Sequence, residues 1–188
     1  MYWSLTDPYW NDTNNLRVRS IDDGILPFAY IQLTLDLNGD QIPDLLVTVN
    51  DAVNGSLIAY ELPPSGQLLN GTFKKHILAN GFKPATSGKG RGAPGAGLVV
   101  RFYPLATRKK PIIILSGDDN GGVYLLEAIH DNDPTNWDYS MKTIYEPTKS
   151  TIGQISIADV DNDGHLEMFV PSYTDGEVFI YRLIDNSI

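Results

Sequence analysis

Apolar residues along this chain fall into short runs, alternating with polar residues or continuous, and each run ends at Gly, Pro, Asn or Asp. No stretch sustains the 3.6-residue spacing of an amphipathic helix, so the pattern predicts strands throughout. The strongest runs align with one another. "LLVTVNDAVNGSLIAYEL" (Leu45 to Leu62), "PIIILSGDDNGGVYLLEA" (Pro111 to Ala128) and "EMFVPSYTDGEVFIYRL" (Glu167 to Leu183) each read as an apolar strand, a tight polar turn and an aromatic-rich strand. These are hairpins.

Each hairpin follows a further strand candidate: Phe28 to Leu35, Gly95 to Tyr103 and Thr151 to Val160. A fourth strand follows in "FKKHIL" (Phe73 to Leu78) and "YSMKTIY" (Tyr139 to Tyr145), and "LRVRSI" (Leu16 to Ile21) resembles those two. Four antiparallel strands recurring at about 60 residues predict an all-β chain of β-propeller blades. The 188 residues form one domain on this reading, with blade fragments at approximately 1–27, 28–94, 95–150 and 151–188. "MYWSL" aligns with the third strand "VYLLE", and "EVFIYRL" is another third strand. Two complete blades and parts of two more are therefore expected. Propellers typically close with 4–8 blades; the expectation is a partial ring, completed by other blades or by other chains.

Gly and Pro together number 29, which suits turns and short elements. With no Cys, neither disulfides nor thiolate metal sites can form. No apolar run reaches the roughly 18 residues of a membrane span, and the first residues lack the basic start and apolar stretch of a signal peptide. Sequons at Asn11, Asn54 and Asn70 point to an extracellular or secretory location and to a glycoprotein. The net charge of −9 is uneven: nine basic residues and no acid lie between Lys74 and Lys110. Either a belt attracting an acidic partner or a solvated basic edge fits that run. The overall acidity disfavours nucleic acid.

Two loops carry the chemistry. "DLNGDQIPD" places Asp36, Asn38, Asp40 and Asp44 at positions 1, 3, 5 and 9; "DVDNDGHLE" places Asp159, Asp161, Asp163 and Glu167 at the same positions. Side chains at 1, 3 and 5 of a tight turn converge, the backbone carbonyl at 7 (Ile42 or His165) joins them, and the carboxylate at 9 closes the shell. Oxygen ligands in that number suit Ca²⁺ better than Mg²⁺. Two calcium sites are expected.

These loops resemble the D-x-[DN]-x-D-G-x-x-D loops of FG-GAP/VCBS repeats, found in integrin α-chain propellers and many secreted propellers. The resemblance implies a β-propeller with Ca²⁺ held between the first two strands of a blade. It does not imply one function, since such repeats serve adhesion proteins, lectins and polysaccharide-acting enzymes. The first loop departs at Gln41, where the family has Gly, so its turn needs a non-Gly residue in an awkward conformation. The second keeps Gly164 and has Glu167 for the usual Asp, so the 159–167 site is expected to be the stronger. The middle unit has "YPLATRKKP" there, whose Arg108, Lys109 and Lys110 would repel a cation.

Other signals carry less. "GRGAPG" (Gly90 to Gly95) fits G-x-G-x-x-G, but Pro94 and a β-like run follow it where a dinucleotide site needs a helix. Residues 81–97 read as a long Gly-rich loop, the best candidate for contacting a partner. "SGDDNGG" reads as a hairpin turn, not an acid/base pair. His76, His130 and His165 lack metal-ligand spacing. Trp3, Trp10, Trp137, Tyr2 and Tyr139 suit blade packing or sugar stacking. Two functions follow: a non-enzymatic module binding protein or glycan, with Ca²⁺ structural, or part of a carbohydrate-active enzyme such as a lyase or dehydratase. A lectin lies between them.

Overall fold

The structure, a computed structural model, describes residues 17–24, 27–33, 36–101, 109–145 and 150–183. These form three antiparallel sheets, and no α-helix occurs among them. Sheet 1 comprises β1 (Phe28–Leu33), β2 (Leu45–Val49), β3 (Gly55–Glu61) and β4 (Lys74–Phe82). Sheet 2 comprises β5 (Gly97–Val100), β6 (Ile112–Ser116), β7 (Val123–Ala128) and β8 (Tyr139–Tyr145). Sheet 3 comprises β9 (Ser156–Ala158), β10 (Leu166–Ser172) and β11 (Glu177–Leu183). In each, sequential strands are neighbours. The four-strand unit seen in the sequence is thus a meander, met twice in full and once with three strands.

Packing explains the apolar runs. From sheet 2, Ile113 and Leu115 meet Leu46, Leu57 and Leu78 of sheet 1, whereas Ile112 and Ile114 face the opposite way onto Met168, Val170 and Ile155. β6 is buried on both faces, and this accounts for its unbroken apolar sequence. Sheet 1 turns Val47, Val49, Ile58 and Tyr60 to its other side, where Ile21 and Phe73 pack on them. The end faces remain open in part: Ile31 is 67% exposed on sheet 1, and Val178 and Ile180 are 63% and 64% exposed on sheet 3.

One reading is corrected here and another is narrowed. Residues 17–21 of "LRVRSI" form no strand, and Val18 is almost wholly exposed; Tyr60 and Lys75 instead hold the adjacent Asp22. Within 81–97 the loop reading holds for residues 83–96, which form no strand beyond one bridge at Ala93, and the loop is anchored. β4 runs through Phe82, and residues 92–95 are buried, where Asp51 and Ala93 exchange backbone hydrogen bonds (3.0 and 3.1 Å). Gly55 is needed at that crossing, since a Cβ there would lie 1.6 Å from the Ala93 carbonyl oxygen. Arg91 bonds Asp119 and Thr151, and Asn50 bonds both the Pro94 carbonyl and Asp118. The Gly-rich segment therefore joins the sheets. "MYWSL", Trp3, Trp10, Tyr2, Asn11 and Arg108 lie outside the described residues.

Candidate metal centres

Both acidic loops fall between the first two strands of a sheet and share one hydrogen-bond skeleton. In the first, Asp36 accepts from the backbone N–H of Gly39 (2.5 Å), Asp40 (3.1 Å) and Gln41 (2.7 Å), and Asp40 accepts from Ile42 N–H (2.8 Å). In the second, Asp159 accepts from Asp163 (3.2 Å) and Gly164 (3.0 Å), and Asp163 accepts from His165 N–H (3.0 Å). The carboxylate at position 9 takes the N–H at position 2 in both: Leu37 to Asp44 (2.8 Å), Val160 to Glu167 (3.2 Å). The spacing alone therefore fixes the turn. Positive φ recurs at positions 4 and 6, as Gly39 (89°) and Gln41 (74°), then Asn162 (61°) and Gly164 (88°). Gln41 is strained in the way the sequence implied.

The loops differ in how their charge is met. Asp44 is fully buried, and its Oδ1 has no hydrogen-bond partner among the described residues. Burial pushes its pKa up to about 7; the Leu37 N–H opposes this, and the negative charges of Asp40, Asp36 and Glu61 add to it. A buried carboxylate oxygen without a described partner, under the charges of Asp36 and Asp40, is the environment a cation relieves. Asn38 is buried, with Oδ1 accepting from Asp40 N–H (3.0 Å) and Nδ2 donating to Asp40 (3.2 Å). Neighbouring strands support the loop's backbone, as Tyr139 O–H donates to the Leu37 carbonyl (3.0 Å) and Arg101 to that of Asp36 (3.2 Å).

In the second loop, oxygens of Asp159, Asp161 and Glu167 lie within 4.8 Å of one another. Arg182 lies against this set, reaching Asp161 (2.7 Å), Asp163 (2.8 Å) and Glu167 (2.9 Å). The backbone N–H of His165 helps hold the Asp163 carboxyl below its ordinary range, and the His165 ring sits 3.1 Å from the same oxygen. Arg182 was missed in the sequence, since it is the strand register that sets it directly opposite Glu167.

By residue type both loops offer a hard cation side-chain oxygens at four positions and a backbone carbonyl, of Ile42 or His165, at the seventh; among the described residues only Asp159, Asp161 and Glu167 bring three acidic groups within 4.8 Å of one another. In the middle unit, the Lys110 ammonium is buried and donates to the carbonyls of Asp133 (2.6 Å) and Asn136 (2.7 Å). Elsewhere in the basic run Lys74 to Lys110, Lys74 pairs with Glu61, Lys75 with Asp22 and Arg91 with Asp119. Trp137 is packed, stacked on His76 at 4.1 Å, and His130 bears on neither acidic loop in any described contact. Asp118 and Asp119 form the turn between β6 and β7, as the hairpin reading required. No family model, curated protein or solved structure matches the chain.

Proposed function

We propose that this chain is a calcium-braced run of β-propeller blades of FG-GAP/VCBS type that serves binding or assembly, with the metal structural. The observation that carries this reading is the buried Oδ1 of Asp44, without a hydrogen-bond partner among the described residues, in the loop that also carries Asp36, Asn38 and Asp40. One Ca²⁺ would be held by Asp36, Asn38, Asp40, Asp44 and the Ile42 carbonyl, another by Asp159, Asp161, Asp163, Glu167 and the His165 carbonyl. Each would fasten the loop between two strands, as crowded carboxylates repel without a cation. The apolar end faces, with Ile31 on sheet 1 and Val178 and Ile180 on sheet 3, support neighbours that continue the stack, whether other blades or other chains.

A second reading, glycan binding in a lectin or a carbohydrate-active enzyme, is favoured by one feature. A cleft of about 450 Å³ is lined by Tyr30, Gln32, Leu46, Thr48, Leu98 and Gln154, with no charged side chain among the described residues of its wall.

The test is light scattering with and without excess EGTA, beside calorimetric Ca²⁺ titration and a glycan screen read for both binding and turnover. A defined assembly that binds Ca²⁺ and loosens on chelation is the expected result. A chain that binds no Ca²⁺ and ignores EGTA overturns the reading; glycan turnover would replace it with the enzyme.

A further inference from the structure

We propose that Arg182 is a tethered counter-cation that holds the 159–167 loop in shape without metal, leaving the 36–44 loop as the one that depends on Ca²⁺. This rests on the calcium reading above and reverses the order that the glycine at position 6 implied. The argument is a comparison of two loops with the same backbone skeleton. At position 9, Glu167 has both oxygens engaged: Oε2 accepts from Val160 N–H, and Oε1 accepts from Arg182 Nε at 2.9 Å. Asp44, at the matching place, has one oxygen engaged and one with no hydrogen-bond partner among the described residues.

Strand register explains the difference. Glu167 and Arg182 are direct cross-strand partners in β10 and β11. In sheet 1 the register runs Leu45 opposite Tyr60, so the next step places Asp44 opposite Glu61. Where sheet 3 sets a guanidinium beside its acidic loop, sheet 1 sets another acid, and Lys74 and His76 hold that acid from β4. A guanidinium presents several donors in one plane. Arg182 uses them on positions 3, 5 and 9 at once. A Ca²⁺ entering the second loop must displace those contacts or share their oxygens, whereas at the first Asp44 offers an oxygen with no described hydrogen bond to displace. The two sites therefore differ in affinity, and the chain keeps one braced loop when calcium is scarce.

Calorimetric Ca²⁺ titration of the intact chain, of Arg182→Gln and of Asp44→Asn tests this. Wild type should show one tight site and one at least tenfold weaker. Asp44→Asn should lose the tight one, and Arg182→Gln should tighten the weak one tenfold or more. Amide exchange of wild type in EGTA gives a reading free of any variant's folding: residues 159–167 should stay protected while 36–44 open. If Arg182→Gln keeps its far-UV spectrum and binds Ca²⁺ no better, or if both loops open alike in EGTA, the counter-cation role is wrong while the calcium reading stands. Absence of Ca²⁺ binding in all three proteins removes the calcium reading, and this inference with it.

Discussion

Gln41 holds φ at 74° in a loop whose counterpart, Gly164, adopts 88°. A side chain in this region costs of order 1 kcal/mol relative to Gly, part of which the greater freedom of unfolded Gly returns. Gln41→Gly should therefore stabilise the chain by about 0.5–1 kcal/mol, read as a higher urea midpoint in EGTA. An unchanged or lower midpoint would show that the Gln41 side chain contributes contacts that outweigh the strain. The same logic makes Asn162 tolerable at position 4, since Asn enters this region more readily than most residues.

At the scale of elements, segment 17–24 is held to sheet 1 by side chains, not by strand pairing. The Tyr60 hydroxyl, Lys75 ammonium (2.9 Å) and Gly24 N–H (2.8 Å) converge on the Asp22 carboxylate and lower its pKa from 3.8 to about 2. Because the folded value lies below the unfolded one, the stabilisation is present above pH 3.8 and is lost as pH falls through about 2. Asp22→Asn should cost about 1 kcal/mol at neutral pH, solvent screening keeping the loss modest. Urea midpoints followed down in pH should show the difference from wild type shrinking over that window; a constant difference would assign the loss to packing.

For the whole molecule, the shared core between sheets 1 and 2 decides whether they unfold together. Trp137, carried on the loop before β8, is 8% exposed and lies flat on His76 of β4. Trp137→Ala should cost about 3–5 kcal/mol, as for other buried aromatics. Amide protection in both sheets should fall in step, whereas loss confined to sheet 2 would mean that the sheets are separate cooperative units.

The strand pattern and the two acidic loops were legible because both are local. Period-two burial and the buried β6 are written in consecutive residues, and the loop skeleton is made of hydrogen bonds spanning no more than seven positions. "LRVRSI" misled because a strand-like composition does not supply a pairing partner. The Gly-rich loop within 81–97 was legible, but not its anchoring, because its glycines serve close approaches to distant residues, Asn50 among them.

The sequence by itself thus determined the all-β class, the repeating meander and the positions of the oxygen-rich turns, since each depends on neighbours in the chain. Only the tertiary structure decided the charge state of those turns. Whether Asp44 is left with a bare oxygen or Glu167 meets Arg182 depends on which residue the adjoining strand brings opposite. That is set by strand register, across 15 residues of chain for Glu167 and Arg182, and no local spacing encodes it.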